Sequence, residues 1–216
     1  MRRLVPGERV NLTDGAGTVA ECEVVAVRPA AGELDLAVLA RRSEPPPSCR
    51  VTVVQAILKG DRGELAVAMM TEVGVDTIVP WQAERCVARW RADREEKALR
   101  RWRSAAREAG KQSRRARFTE VTGSVGTAGA AARVAGADLA VLLDHEAAWP
   151  LMAFDLPTIG EVVLIVGPEG GVSPQEAAEL TAAGAVPARL GPSVLRGSTA
   201  GAVAAALVLS SCGRWI

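Results

Sequence analysis

Two loops rich in glycine and proline carry the residue types best suited to bind a ligand. The first loop follows the apolar run 162–166 and reads Gly-Pro-Glu-Gly-Gly, and the second reads Leu-Gly-Pro from Leu190. Gly167, Gly170 and Gly171 lack the Cβ atoms that would keep a ligand away from the backbone. Open α/β sheets bind ligands beyond the carboxyl ends of their strands, so these loops predict a ligand site.

The charge of the first loop points away from a triphosphate ligand. The loop contains the carboxylate of Glu169 and no lysine, and neither the GxGxxG nor the GxxxxGK[ST] pattern occurs in the chain. A ligand with a positive centre and an adenosine ring, such as S-adenosylmethionine, suits it better. Glu169 either accepts hydrogen bonds from nearby N–H groups or faces a cationic ligand or an incoming nucleobase. Arg196 in the second loop either anchors backbone carbonyls or contacts substrate.

Other catalytic and compartment signals are weak. The one histidine, His145, is predicted to lie in a loop near the site, and no Ser/His/Asp arrangement is recognisable. The four cysteines lack metal-ligand spacing, so we expect no metal and reduced thiols in the cytoplasm. The apolar run 200–209 is too short to span a bilayer, and the N-terminus lacks a signal-peptide core. We therefore expect no membrane association.

The elements that position these loops alternate between strand and helix. After the first loop, Ser173, Pro174 and Glu176 form the pattern of a helix N-terminus. Elsewhere the patterns predict strands at 51–58, 75–79, 138–143 and 162–166, and helices at 64–73, 93–109 and 124–134. This alternation predicts an α/β domain with a mostly parallel sheet, and the run 200–209 is predicted to be a buried helix.

The N-terminal part has a different pattern. Apolar residues alternate at period two between turns at 14–17 and 31–32, which predicts an antiparallel module of about three strands. The proline-rich stretch 41–48 is predicted to connect two domains, 1–44 and 48–216. A module of three strands is thin, so we expect it to be incomplete.

A strong charge asymmetry lies behind the net charge of +1. The stretch 85–117 carries thirteen basic and four acidic residues, a net charge of +9, so the remainder is acidic. Such a basic segment is the electrostatic footprint of a polyanion-binding protein. The alternative is a solvated helix face held by intrahelical ion pairs.

The motifs resemble the RsmE family of ribosomal RNA uridine-N3 methyltransferases, which belong to the SPOUT class. The resemblance rests on Gly-Pro-Glu-Gly-Gly with the following Ser-x-x-Glu, and on Leu-Gly-Pro-x-x-Leu-Arg-x-x-Thr-Ala from Leu190. The stretch 71–75 with Pro80 and Glu84-Arg85 and the stretch 111–115 are similar to two further family motifs, and the stretch 7–17 resembles the family's N-terminal β-domain. Four motifs in the family's order make the resemblance specific, and it covers most of the chain.

The resemblance implies a SPOUT-type α/β domain with a deep trefoil knot, preceded by a small PUA-like β-barrel domain. It implies S-adenosylmethionine as cofactor, a homodimer with its sites at the subunit interface, and a uridine of 16S ribosomal RNA in the small ribosomal subunit as substrate. Family members begin some twenty to thirty residues earlier, which implies a truncation, a late start or another first strand. A non-catalytic RNA-binding assembly factor, or a methyltransferase that acts on transfer RNA, remains an alternative.

The same resemblance implies roles for individual residues. Catalysis is assigned to Glu169, Arg115 and Arg196. Cofactor contacts are assigned to Leu142, Leu143, Val166, Gly167, Pro168, Gly170, Gly171, Leu190, Gly191, Val194, Leu195, Arg196, Thr199 and Ala200. RNA contacts are assigned to Arg85, Arg100, Arg101, Arg103, Arg114 and Arg115.

The chain departs from the family pattern at three places. Gly197-Ser198 replaces the usual Thr-Glu pair, Lys111 stands where Glu is common, and Thr119 stands where Pro is usual.

Overall fold

The computed structural model describes residues 4–215, apart from the side chain of Ala92, and divides into two units. The first unit runs to Pro46 and also includes Arg114–Phe118. Its sheet has the order β1-β2-β3, with β1 (Arg9–Thr13), β2 (Thr18–Arg28) and β3 (Glu33–Ser43) antiparallel. The predicted three-strand module is therefore confirmed. The predicted connector is wrong in its first part, because β3 extends through Ser43.

The segment Arg114–Phe118 joins this unit although it is distant in sequence. The backbone N–H of Gly17 donates to the carbonyl of Ala116 at 3.1 Å, and that of Phe118 donates to the carbonyl of Gly15 at 2.9 Å. The Phe118 ring lies 2.9 Å from where a Cβ on Gly15 would stand. Gly15 has a φ of +74°, so its turn needs glycine for its backbone conformation and for this close approach.

The second unit contains a sheet of six parallel strands. Its strands are β4 (Cys49–Ala56), β5 (Thr77–Trp81), β6 (Glu120–Val121), β7 (Leu139–Leu143), β8 (Gly160–Val166) and β9 (Val186–Ala188). Their order is β6-β5-β4-β8-β7-β9. The mostly parallel sheet predicted from the apolar runs is confirmed. The two-residue β6 and the short 3-10 turn Leu151–Ala153 were not predicted.

Helices cover both faces of this sheet. They are α1 (Arg62–Val73), α2 (Ala92–Gln112), α3 (Thr127–Ala135), α4 (Pro174–Ala182) and α5 (Gly197–Ser211). One face of β4 packs with α1, α2 and α5 through residues such as Val53, and the other face packs with α3 and α4 through residues such as Val54. The strands bury both faces, which explains why their sequences are nearly continuous apolar runs.

The basic helix α2 packs by the narrow apolar stripe that the sequence predicts. Leu99, Trp102, Ala106 and Ala109 are buried. The Trp102 ring lies 2.8 Å from where a Cβ on Gly63 would stand, so α1 and α2 meet at a residue without a side chain. None of the helices in the described part of the chain is long and apolar enough to cross a membrane.

The end of the chain is held against the start of β5 by an arginine–carboxylate pair. The Arg214 guanidinium donates to both carboxylate oxygens of Asp76, at 2.6 and 3.1 Å, and to the carbonyls of Cys49 and Gly74, each at 3.1 Å. Asp76 also accepts a hydrogen bond from the backbone N–H of Val51. The side chains are only 21% and 13% exposed, so this pair is well shielded from solvent.

Arg214→Ala is expected to lower the free energy of unfolding by about 2–3 kcal/mol, because it leaves a mostly buried carboxylate without its cation. Urea unfolding of the variant and of Arg133→Ala, an exposed arginine on α3, measures this difference. Equal stabilities of the two variants would contradict the role given to Arg214.

Candidate active site

A cleft of about 750 Å³ opens in the second unit, beyond the carboxyl ends of β4, β8, β7 and β9. It is lined by the loops that follow these strands and by the start of α5. The lining residues that follow β4 and β5 are Leu58, Arg62 and Arg85, and those after β7 are Asp144, His145 and Glu146. The cleft lies where parallel α/β sheets bind their ligands.

The structure brings nearly all the predicted cofactor residues to this cleft. Leu142, Leu143, Val166, Gly167, Pro168, Gly170, Gly171, Leu190, Gly191, Val194, Leu195, Arg196 and Ala200 line it. Thr199 lies on α5 and is not among the lining residues, and its backbone N–H donates to the carbonyl of Arg196 at 2.8 Å. The two glycine-bearing loops thus form two walls of one cleft.

Two glycines of the first loop are needed for packing within the protein itself. A Cβ on Gly170 would lie 3.0 Å from the backbone oxygen of Arg85, and a Cβ on Gly167 would lie 2.7 Å from the side chain of Val172. Gly171 has a φ of +74°, and its N–H closes a turn onto the carbonyl of Pro168 at 2.9 Å. These positions therefore fix the shape of the loop before any ligand binds.

The carboxylate of Glu169 is held by the segment that follows β4. Its Oε1 atom accepts a hydrogen bond from the backbone N–H of Lys59 at 3.2 Å and lies 3.7 Å from the Arg62 guanidinium. This agrees with the interpretation of Glu169 as a carboxylate satisfied by nearby N–H groups. Both contacts use the same oxygen, and Oε2 takes part in neither.

Arg196 lies at the cleft as the residue before the first turn of α5. Its backbone is extended, with φ −66° and ψ 147°, and its side chain makes no capping hydrogen bond. The guanidinium is exposed at the cleft. The N-terminus of a fifteen-residue helix carries a partial positive charge, so Arg196 and α5 together present a positive potential.

Gly197 and Ser198, which stand where the family pattern has Thr and Glu, lie at the start of α5 next to the cleft. A Cβ on Gly197 would lie 3.0 Å from the side chain of Leu58 and 3.3 Å from the carbonyl oxygen of Gly167. The glycine therefore lets α5 approach both the β4 loop and the first glycine loop. Ser198 is buried at the cleft.

Glu176 connects three segments of the second unit, two of which contribute residues to the cleft lining, a role that sequence reasoning missed. It forms a capping box with Ser173 at the start of α4. Its buried carboxylate also accepts hydrogen bonds from the backbone N–H of Glu84 at 2.8 Å and from the Thr127 hydroxyl at 2.9 Å. The sequence pattern identified only the helix start, because these partners lie 49 and 92 residues away.

The remaining reactive groups do not form a nucleophilic or metal centre. His145 lies at the cleft in the loop after β7, as predicted, and is 59% exposed. Burial raises the pKa of the Cys86 thiol, and the charges of Glu169 and Glu176 act in the same direction, so this thiol stays protonated. Within residues 4–215, no group of three His, Cys, Asp or Glu side chains is arranged to hold a metal ion.

The predicted RNA-binding arginines lie in three places. Arg85 lines the cleft, and Arg100, Arg101 and Arg103 lie on α2. Arg114 and Arg115 belong to the first unit. Arg115 is also a predicted catalytic residue. Its Nε atom donates a hydrogen bond to the carbonyl of Arg117 at 2.9 Å. The residues that line the cleft belong to the second unit.

Comparison with known proteins agrees with the resemblance seen in the motifs. A model of the RNA methyltransferase domain matches residues 44–209. Ribosomal RNA small subunit methyltransferase E from Mycobacterium bovis is 47% identical over 219 residues, which cover 100% of this chain and 83% of that protein. The chain belongs to the RsmE family of RNA methyltransferases.

Two solved structures of methyltransferases with bound cofactor share the fold. Ribosomal RNA small subunit methyltransferase E from Neisseria gonorrhoeae, bound to S-adenosyl methionine, is 26% identical with a TM-score of 0.84 over 96% of this chain and 84% of that chain. A methyltransferase from Legionella pneumophila, in complex with the bound cofactor SAM, is 25% identical with a TM-score of 0.85 over 96% and 85% of the two chains. The α/β architecture predicted from the resemblance is confirmed.

Proposed function

We propose that this RsmE-family protein transfers a methyl group from S-adenosylmethionine to N3 of a uridine in 16S ribosomal RNA of the small ribosomal subunit. The observation that carries the proposal is the cleft formed by both family signature loops at the ends of β8 and β9. The methyltransferase E relatives act on small-subunit ribosomal RNA by name, and the substrate follows from them. A ribosomal substrate implies a cytoplasmic protein.

The lining of the cleft fits S-adenosylmethionine. A volume of about 750 Å³ lies within the range of small-molecule sites. Leu58, Leu142 and Leu190 offer apolar surface for an adenine ring, and the carboxylates of Asp144 and Glu146 complement a cationic ligand. Three arginines and, among the described residues, no lysine line the cleft.

The chemistry requires that uridine lose its N3 proton, because the neutral imide nitrogen has no available lone pair. The bound cofactor supplies an electrophilic methyl group on a positively charged sulfur. The guanidinium of Arg196 and the N-terminus of α5 favour the negative charge that spreads to O2 and O4 of the base. Oε2 of Glu169, the oxygen outside the Lys59 contact, accepts the N3 proton or orients N3.

The finer architecture is part of the same proposal. After the outermost strand β9 the chain returns to the middle of the sheet, where α5 packs against β4 and β8, and this supports a trefoil knot. The exposed side chains of Trp149, Met152 and Val194 support a homodimer interface in which apolar surface is covered. The three-strand first unit is assigned as a PUA-like RNA-binding domain that carries Arg114 and the remaining catalytic candidate, Arg115.

The α2 arginines assigned to RNA binding form ion pairs at the surface, and Arg103 also donates through Nε to the carbonyl of Val121 at 3.2 Å. Arg101 pairs with Glu64 at 2.7 Å, and Arg100 and Arg103 each lie 3.6 Å from Glu96. Such surface pairs contribute at most about 1 kcal/mol each, so RNA phosphates can compete for the guanidinium groups. The basic helix is therefore assigned to RNA binding, and these surface pairs do not exclude that role.

Changing Arg100, Arg101 and Arg103 together to Ala is expected to reduce the slope of log K for RNA binding against log salt concentration by about 2. The affinity for the cofactor is expected to stay unchanged. Filter binding at several salt concentrations and calorimetry measure the two quantities. An unchanged slope would mean that these arginines form a solvated or subunit-facing surface.

Transfer of labelled methyl groups to small subunits, to protein-free 16S ribosomal RNA and to transfer RNA tests the proposed function. Incorporation into ribosomal substrates alone is expected. Transfer RNA as the preferred substrate would favour the alternative methyltransferase. Absence of S-adenosylmethionine binding by calorimetry at millimolar ligand, together with retained RNA binding, would identify a non-catalytic assembly factor.

A further inference from the structure

Apart from Glu169, the charged residues that line the cleft separate by their position in the fold into a cationic and an acidic rim. The cationic rim consists of Arg62, Arg85 and Arg196, which all line the cleft. Each of them lies close to the first glycine loop. The Arg62 guanidinium lies 3.7 Å from the Glu169 carboxylate. A Cβ on Gly170 would lie 3.0 Å from the backbone oxygen of Arg85, and a Cβ on Gly197, the residue after Arg196, would lie 3.3 Å from the carbonyl oxygen of Gly167. The cationic rim therefore lies over the β4–β8 side of the sheet.

The acidic rim lies over the opposite side of the cleft. Asp144 and Glu146 follow β7, and the backbone N–H of Asp144 donates to the carbonyl of Ala188 at the end of β9 at 2.9 Å. The backbone of Glu146 in turn donates to the Asp144 carboxylate at 2.9 Å, which fixes the turn. With the order β4-β8-β7-β9, the two rims lie on either side of the mouth.

Arg62 is the member of the cationic rim that lies beside a carboxylate of the first glycine loop. It lies 3.7 Å from Glu169, beyond hydrogen-bond distance, and its side chain is 51% exposed. A guanidinium has five N–H donors in a planar fork that matches two phosphate oxygens. S-adenosylmethionine offers a guanidinium a single carboxylate, whereas an RNA substrate brings one negative charge with every nucleotide.

We propose that Arg62 binds a backbone phosphate of the RNA next to the target uridine, with Arg85 and Arg196 continuing the cationic rim towards the base. The inference rests on the proposed function for the identity of the RNA. Arg62 is then a substrate-positioning residue, and the Glu169 carboxylate competes with the phosphate for the Arg62 guanidinium. The acidic rim repels the RNA backbone and so confines it to the β4–β8 side.

This competition predicts effects of opposite sign from two neighbouring substitutions. Arg62→Ala is expected to weaken binding of protein-free 16S ribosomal RNA about tenfold. It is also expected to reduce the salt slope, the slope of log K for RNA binding against log salt concentration, by about 0.7 to 0.9, which is the contribution of one phosphate contact. Glu169→Gln is expected to tighten RNA binding about threefold, because it removes the competing negative charge. If Arg62 acts only by holding Glu169 and its loop, both variants will weaken binding alike.

Fluorescence anisotropy with 16S ribosomal RNA and with poly-uridylate, without cofactor and over a range of salt concentrations, measures these effects on the full chain. Arg62→Lys, which keeps the charge, is expected to retain the wild-type salt slope and lose only part of the affinity. Arg133→Ala, an exposed arginine of α3 outside the cleft lining, is the matched control and is expected to bind as wild type.

The outcomes separate this inference from the proposed function, because RNA binding is measured without methyl transfer. An active wild-type enzyme whose Arg62→Ala variant keeps the wild-type affinity and salt slope would overturn the role of Arg62 alone. A wild-type protein that binds RNA with the expected Arg62 dependence but transfers no methyl group would overturn the proposed function and leave the phosphate contact standing. Unchanged cofactor affinity in Arg62→Ala, measured by calorimetry, is the expected companion result.

Discussion

Arg196→Ala is expected to lower kcat for methyl transfer by about 100- to 1,000-fold, the loss typical when one group that stabilises a developing negative charge is removed. Arg196 is exposed and lines the cleft next to the positive end of α5, and in the proposed mechanism it faces the charge that develops on the uridine oxygens. That charge is absent from the neutral ground state. The loss should therefore fall on kcat, with a smaller change in KM for RNA.

The same variant should still bind S-adenosylmethionine, because the backbone that lines the cleft does not depend on the Arg196 side chain. That side chain makes no capping hydrogen bond, and α5 begins with the backbone bonds from Thr199 and Ala200 to the Arg196 carbonyl. Single-turnover kinetics and calorimetry separate the two effects, and Arg196→Lys should recover part of the rate. A wild-type kcat in Arg196→Ala would remove this residue from the catalytic step.

Glu176→Ala is expected to lower the free energy of unfolding by about 3–5 kcal/mol, because it leaves several buried hydrogen-bond donors without their acceptor. The carboxylate is 5% exposed and accepts from the backbone N–H groups of Glu84 and Ser173 and from the hydroxyl of Thr127. Each unsatisfied buried donor costs about 1–3 kcal/mol, so the sum reaches this range even if the site relaxes.

The loss should also weaken cofactor binding, since Glu176 ties the loop before α4 to the loop after β5 and to the start of α3. Glu179→Ala, an exposed carboxylate on the same helix, is the matched control and should change the unfolding free energy by less than about 0.5 kcal/mol. Urea unfolding and calorimetry measure both quantities. Equal stability of the two variants would show that the neighbours of Glu176 find other partners.

The sequence predicted the sheet and the glycine loops because both depend on local patterns. The strands are short apolar runs that bury both faces, and the start of α4 follows from Ser173, Pro174 and Glu176. The stripe of Leu99 and Trp102 likewise required only helical periodicity. In each case the residues that determine the element lie within a few positions of one another.

Contacts between residues distant in sequence could not be predicted in the same way. Nothing local in Arg114–Phe118 indicates that it joins the N-terminal strands, and the link from Glu176 to Thr127 spans 49 residues. The glycines were only partly understood from sequence. They were interpreted as making room for a ligand, whereas Gly170 also makes room for the backbone of Arg85.

Mass-spectrometric mapping of modified nucleotides in ribosomal RNA, from cells with and without this protein, tests the central claim most directly. We expect a single N3-methyluridine in 16S ribosomal RNA that is present with the wild-type protein, absent without it and strongly reduced with Arg196→Ala. An unchanged set of modified nucleotides in ribosomal RNA, with or without the protein, would contradict the account.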